Sequence, residues 1–520
     1  MSNPAYALWG KEDKKALEES PVVRLISSMM GVNTSDEIWS GYVEPPTASE
    51  SGELREILEK YIAKERISFE PAMRIKHSVG MGGADYARIL DGGDLKIVDA
   101  VIFPNENETA RLLRAMEKKI QIIVHGGGTS VTGGTLLKKS SEYCVSLDTS
   151  NMNFVNVDPV NMIIEVGAGV PGPRAEEEAE KFGLTLGNFP ESFHYSTVGG
   201  WISTNAAGQE SNRYGKTKDM VIGVRMETPI GTFEDRITPG ESAFFKVSDI
   251  AVGSEGNFGV ITRAWLRLSP KPRKLFFGSY IFPSFDDGIK SMMKSITNGH
   301  IPMVLRLSDD VESSLYLAGA GDSIGTRIFK RYIDWRMKGK IGSLLIVVSD
   351  NKEDIDFKGG IKLGSLPAKY WYKERYSRPY IYNKLLKMGI IAETVETSAK
   401  WSLVGEIYES TREVFRETSS KMKIRSVLMC HASHEYGTGS ALYFTFLFHS
   451  PEKKEETVYA MRDAIVKNII SKGGSISHHH GIGTIQSKFL ADYKGNTIEL
   501  IRAVKRFLDP DGILGPGLQS

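Results

Sequence analysis

Only two cysteines, Cys144 and Cys430, occur in the 520 residues. So far apart, they argue against a disulfide scaffold and fit a reducing compartment. Long apolar runs are also missing. Stretches such as Leu344-Leu345-Ile346-Val347-Val348 fall far below the roughly 18 residues of a membrane span. Met1 to Gly10 shows no basic region followed by an apolar core, so no signal peptide is expected there. Neither charge dominates: 65 Lys and Arg against 64 Asp and Glu leave a net +1. Such a chain has no global field to gather nucleic acid or an anionic membrane. Low-complexity tracts and fixed-period repeats are absent. With 41% hydrophobic and 25% charged residues, wholesale disorder is excluded. A cytoplasmic enzyme of roughly two to four domains is the expectation.

Glycine is what the chain has in excess, at 52 residues where about 7% is usual. The excess is clustered: Gly80 to Gly83, Gly92-Gly93, Gly126 to Gly134, Gly199-Gly200 and Gly253 to Gly259. Dense clusters suit places where backbone approaches a ligand closely. Residues 1–93 read as mostly helical, with Glu53 to Ala63 as the best amphipathic stretch. Leu95 to Phe103 is strand-like, Asn107 can cap a helix that turns Leu112, Leu113 and Met116 inward, and Ile120 to Val124 is a second strand. Cys144 to Leu147 and Met162 to Val166 follow as strands in an α+β domain over 94–270. A second α+β unit over 271–450 opens with Leu275 to Phe282 and has a largely antiparallel sheet. Within it Leu442, Phe444, Phe446 and Phe448 share one strand face and Tyr443, Thr445 and Leu447 the other. Residues 451–520 form a C-terminal helical segment. Ser450 can cap its first helix, in which Val458, Met461, Ile465 and Ile469 recur at helical spacing, and Gly473-Gly474 releases the chain into Ser475 to Gly481.

Val124-His-Gly-Gly-Gly-Thr-Ser-Val-Thr-Gly-Gly134 follows a strand, and its backbone N–H groups suit a pyrophosphate. It has neither the third glycine of a Rossmann fingerprint nor the Lys-Ser/Thr ending of a P-loop. Pro190 to Gly208 and Val252 to Thr262 are two more glycine- and hydroxyl-rich segments. Three of them suit one long ligand held along its length. Five of the ten histidines fall in two clusters, His431 with His434 and His478-His479-His480. Imidazoles serve acid–base chemistry near neutral pH, a metal, or merely a hydrogen-bonded loop. On extended chain at most two of the run share a face.

These segments resemble the vanillyl-alcohol-oxidase (PCMH-type) FAD flavoproteins, and within them the alkyldihydroxyacetonephosphate synthases. The matching stretches are Gly126 to Val131, Ser196 to Thr204, Gly253 to Thr262, Leu147 to Ser150, Val304 to Asp309, Val395 to Trp401, Tyr443-Phe444 and Ser477 to Gly483. The resemblance implies a two-subdomain FAD-binding domain followed by an α+β cap domain, with the His run returning to the FAD domain. It places FAD contacts on Val124, His125, Gly126, Gly127, Gly128, Thr129 and Ser130. A second set is Glu191, Ser192, Phe193, His194, Tyr195, Ser196, Thr197, Thr204, Asn205, Ala206 and Ala207. The third is Glu255, Gly256, Asn257, Phe258, Gly259, Val260 and Ile261. A covalent histidine in related flavoproteins follows a glycine pair, whereas His125 precedes the glycines, so FAD is expected to be non-covalent.

The implied reaction exchanges the acyl chain of acyl-dihydroxyacetone phosphate for a fatty alcohol through an adduct at flavin N5. Tyr443 is implied as the proton donor and acceptor, His478, His479 and His480 as assisting groups, and Arg306 as a further active-site residue. No metal is implied. Tyr382, in Tyr380-Ile-Tyr-Asn383, stands where the family has a substrate-binding arginine, and a neutral phenol does not replace a fixed cation. Arg375 and Arg378 are the nearby candidates to compensate. That departure keeps open an FAD-dependent D-2-hydroxyacid dehydrogenase, with hydride transfer to N5; a flavin-binding protein without chemistry is disfavoured by the intact His run. A small-molecule or lipid-like substrate, a homodimer and peripheral membrane contact complete the expectation, with no nucleic acid.

Overall fold

The computed structural model describes residues 20–39, 43, 51–92, 95–116, 118–136, 141–319, 331, 337, 341–515 and 518. Three sheets carry the architecture. The first has strands Ile67–Ser68, Ala100–Ile102, Tyr143–Asp148 and Ile120–His125 in that spatial order. Its last three strands run parallel. The second, Val155–Asp158, Ile163–Gly167, Val260–Arg267, Val221–Thr228 and Gly231–Glu234, is antiparallel throughout. The third has seven antiparallel strands in the order Ile361–Gly364, Phe276–Phe282, Ser343–Ser349, Val304–Ser308, Arg425–Tyr436, Gly439–His449, Ile390–Lys400. The fold is α+β, with one half built on the two smaller sheets and the other on the largely antiparallel seven-stranded sheet.

Alternation explains the third sheet. Leu442, Phe444, Phe446 and Phe448 point into one core with Val458, Met461, Ile465 and Ile469 of the helix Lys454–Ser471. Leu447, one residue out of step, joins a separate cluster on the other face. Each such side chain contributes about 1.5–3 kcal/mol of transfer free energy. The chain end returns to the first sheet: Ile122 N donates to Ile513 O at 2.7 Å and Gly515 N to Ile122 O at 3.1 Å. The Lys505 ammonium, 1% exposed, donates there to Asp509 Oδ2 (2.5 Å), Leu514 O (2.7 Å) and Asn257 O (2.8 Å). A buried charge with all three protons taken is tolerated. Among the described residues no helix is long and apolar enough to cross a membrane.

Three local expectations are corrected. Asn105, not Asn107, caps the helix Glu106–Ala115, because Glu108 returns the hydrogen bond in a capping box; three residues after Asn107 stands Ala110, which has nothing to return. Ser450 caps nothing: its hydroxyl donates to Glu452 O, and the helix starts at Lys454 with Glu455 N donating to Asp91 Oδ2 at 2.8 Å. Of Leu95 to Phe103 only Ala100–Ile102 is strand, since Val98 N is taken by Ser78 Oγ instead of a ladder partner.

Candidate active site

The strand Ile120–His125 delivers Gly126 to Ser130 to the edge of a cleft. A Cβ on Gly127 would lie 2.0 Å from Tyr195 O, so only glycine lets this loop pack backbone to backbone on the second segment. That segment turns at Thr197, whose Oγ1 caps the helix Val198–Thr204 by accepting from Gly200 N at 3.3 Å. Ser203 O and Ile202 O then accept from Glu255 N (2.9 Å) and Gly253 N (3.0 Å), which fixes the third segment. Val124, Gly126, Gly127, Gly128, Thr129 and Ser130 therefore line one cleft with Glu191, Ser192, Ser196, Thr197, Thr204, Ala206, Ala207, Glu255, Gly256, Gly259 and Ile261.

The remaining candidates from these segments do not line it. His125 turns beneath the sheet, 4.1 Å from the His77 ring, with Nδ1 3.5 Å from Asp148 Oδ2. Phe193 stacks on Trp201 and Tyr376, and His194 packs edge-on against Tyr376. Tyr195 meets Tyr380, hydroxyl to hydroxyl, at 2.6 Å. Asn205 is the left-handed end of its helix, Asn257 bonds Ser254 O, and Phe258 and Val260 pack into the core. These residues shape the cradle from behind.

The cleft fits a dinucleotide. Its walls are rich in glycine and hydroxyl residues, and the buried Thr135 Oγ1 and His480 Nδ1 have no hydrogen-bond partner among the described residues. Buried polar atoms of native proteins are nearly always paired, so these two are suited to a ligand.

At the other wall stand Tyr382, Tyr443, His479 and His480. In the sheet register Tyr443 faces His431 on one neighbouring strand and Glu396 on the other. Its ring stacks on His431 at 4.8 Å and lies 5.3 Å from His480 and 6.0 Å from His479. Burial, then the charge of Glu191, pushes its phenol well above the usual tyrosine range. His478 points away from the cleft, so two of the three consecutive imidazoles share its wall.

Glu396 organises that run. Its buried carboxylate accepts from Ser477 Oγ (2.7 Å), His478 N (2.7 Å), His479 N (3.1 Å) and His480 N (3.1 Å). Burial alone would raise this carboxyl, but the field of His479 and its hydrogen bond hold it well below the usual range. Burial and then His479 press His480 down to about 3, and burial first, then neighbouring histidines, hold His478 and His434 well below 6.5. At neutral pH these three imidazoles are neutral. His434 is the extra residue of a β-bulge between Ser433 and Glu435, at φ +57°. The bulge re-aims its ring to 5.2 Å from both His478 and His479.

Arg306 is buried away from the cleft. Its Nη2 donates to Glu312 Oε1 at 2.6 Å, and the same oxygen lies 3.3 Å from His431 Nδ1. Arg306 thus reaches Tyr443 through Glu312 and the stacked His431. Arg375 does not stand in for a cleft cation: it lies flat on Tyr372 at 3.7 Å and donates to that residue's carbonyl oxygen. Arg378 opens the helix Arg378–Lys387, and its side chain lies outside the described residues. His431 and His434 do not converge with the run as one metal set. Among the described residues the ligand-type groupings are Glu396 with His478 and His479, and His77 with His125 and Asp148.

Sequence reading missed Glu396, the bulge that aims His434, and Met81 in the wall of the cleft. The glycine cluster at 80–83 was a usable sign: a Cβ on Gly83 would lie 2.4 Å from Ala392 O.

A family model for the FAD binding domain matches residues 98–235, and one for the C-terminal domain of FAD linked oxidases matches 363–518. Alkyldihydroxyacetonephosphate synthase of Dictyostelium discoideum is 27% identical over 532 residues, covering 98% of this chain and 85% of its own. A solved alkyldihydroxyacetonephosphate synthase superposes with a TM-score of 0.78 at 26% identity, over 95% of this chain and 92% of that one. D-lactate dehydrogenase of Archaeoglobus fulgidus is 26% identical over 428 residues, covering 79% of this chain and 89% of its own. FAD is the cofactor these matches identify.

Proposed function

Because the chain belongs to the flavoproteins that join an FAD-binding domain to the C-terminal domain of FAD-linked oxidases, we propose that it is an FAD-dependent enzyme of the alkyldihydroxyacetonephosphate synthase type. It exchanges the acyl group of acyl-dihydroxyacetone phosphate for a fatty alcohol. One ester C–O bond breaks, one ether C–O bond forms, a fatty acid leaves, and nothing is oxidised overall. Bound non-covalently along the glycine cradle, FAD supplies N5, an atom able to take up electrons or carbon from a substrate.

One observation carries the reading: Tyr443 lines the same cleft as all three glycine-rich segments, between the His431 and His480 rings. Tyr443 takes the proton from the reacting carbon and returns it, with His479 or His480 as its exchange partner. Arg306 holds Glu312, Glu312 holds His431, and His431 fixes the plane of the Tyr443 ring. Tyr382, with Arg378 one turn before it, lies where the substrate's polar head enters. Ether-lipid synthesis, peripheral contact with a membrane surface, a cytoplasmic location and a homodimer are parts of the same proposal.

A second reading, a D-2-hydroxyacid dehydrogenase, is favoured by one residue, Tyr382 in the place of an arginine. The test for both is direct. FAD-loaded protein is given acyl-dihydroxyacetone phosphate and a fatty alcohol, and ether product and fatty acid are measured by mass spectrometry. In parallel the flavin spectrum is followed anaerobically with a panel of D-2-hydroxyacids. Ether product with an unbleached flavin is expected; bleaching by a hydroxyacid without ether product overturns the synthase reading.

A further inference from the structure

The exchange just described, on which this inference rests, has a proton balance. An ester and an alcohol become an ether and a carboxylic acid, and the acid ionises at neutral pH. Each turnover therefore leaves one proton to be carried out of a cleft walled by buried groups. Tyr443 returns the proton it takes, so it does not remove the surplus.

A continuous path leads from the cleft to the surface. His479 lines the cleft, and its Nδ1 lies 2.8 Å from Nδ1 of His478. His478 is 7% exposed, and its other ring nitrogen, Nε2, lies 2.5 Å from the Tyr436 hydroxyl. Tyr436 is 37% exposed. We propose that Tyr436 and His478 form a proton relay that joins His479 in the active cleft to solvent.

The hop balances without a charged intermediate at the phenol. A proton arriving on the cleft-side nitrogen of His479 displaces the one on Nδ1 to His478; His478 releases its Nε2 proton to the Tyr436 oxygen, which gives its own hydrogen to water. One proton enters, one leaves, and no heavy-atom bond or electron count changes. Tyr436 never needs to ionise, which matters because burial and then the charges of Asp219 and Glu435 push its phenol above the usual range.

The surroundings favour passage over storage. Glu396 Oε2, 3.4 Å from His479 Nδ1, supports positive charge in transit on the cleft side. On the outer side burial, and Lys216, whose ammonium donates to His478 O, disfavour a proton resting on His478. The charge of Asp219, which acts on Tyr436, draws the proton outward.

Tyr436→Phe removes one hydroxyl and tests the relay in the FAD-loaded enzyme. In weak buffer, turnover is expected to fall about 10-fold or more with KM and flavin content unchanged. Added imidazole, a small diffusible proton carrier, is expected to restore it, while the wild type ignores imidazole. Unchanged turnover, or a loss that imidazole does not restore, overturns the relay and leaves the 2.5 Å contact as packing. Should the wild type make no ether product, the functional reading fails separately, and the relay is judged by a pH jump. Flavin absorbance, taken as the reporter of proton arrival in the cleft, is expected to respond several-fold more slowly in Tyr436→Phe; equal rates overturn the relay.

Discussion

Glu396→Gln is the sharpest test of how the active-site wall is held. The carboxylate is 4% exposed and accepts from one hydroxyl and three consecutive backbone N–H groups. Hydrogen bonds to a charged acceptor contribute about 1.5–3 kcal/mol each. Glutamine keeps the shape but turns one oxygen into an NH2 group, which meets N–H donors with another donor. At least one of Oε1 and Oε2 is affected, and both are occupied, so the loss is about 3–5 kcal/mol, the range for breaking a buried charged partnership. The pH dependence has a definite sign. Glu396 is held below its ordinary pKa when folded, so its contribution is complete above the unfolded value of about 4.3 and is lost as pH falls through the folded value. The wild type should therefore melt several degrees above Glu396→Gln at pH 7, and the gap should narrow in strong acid. Turnover should fall with flavin content retained, because the FAD cradle lies on other segments. Equal melting at pH 7, or a gap that persists unchanged down to acid pH, would refute the reasoning.

Tyr443→Phe keeps the ring stacked on His431 and removes only the hydroxyl; turnover should drop about 10²–10⁴-fold while the protein still purifies yellow, and a smaller loss moves the proton transfer to another group. Tyr382→Arg puts a cation on the cleft wall, and KM for a phosphate-bearing substrate should fall about 10-fold, one charge-assisted hydrogen bond's worth; steady-state kinetics with phosphorylated and unphosphorylated substrate decide it. On the alkaline side Asp309, pushed up by burial to about 8, holds a proton when folded that the unfolded chain gives up near 3.9. Stability due to this group therefore falls as pH rises between those values. Asp309→Asn should lose less melting temperature than the wild type between pH 6 and pH 8.5, although Glu435, also near 8, leaves part of the slope in place.

What the sequence disclosed and what it withheld follow from how local each feature is. The three glycine-rich segments were legible because close backbone approach excludes every other residue at positions such as Gly127. The face of Tyr443 was legible because strand alternation has a period of two. Which residue would meet it was not. Glu396 and His431 flank Tyr443 through antiparallel register, and register is set by turns and packing tens of residues away. The same holds for His434, whose aim depends on one inserted residue in an otherwise regular ladder. His125 shows the opposite case: by its place in the motif it belongs to the cofactor loop, yet alternation along Ile120–His125 turns its ring below the sheet to His77 and Asp148. A motif therefore fixes where the backbone must go, and pleat and register decide which side chains reach the cleft. The chemistry depends on the second step. Tyr443 is placed between an imidazole and a carboxylate by pairing across three strands, so a register slip of one residue would leave the cofactor cradle intact and remove the catalytic wall.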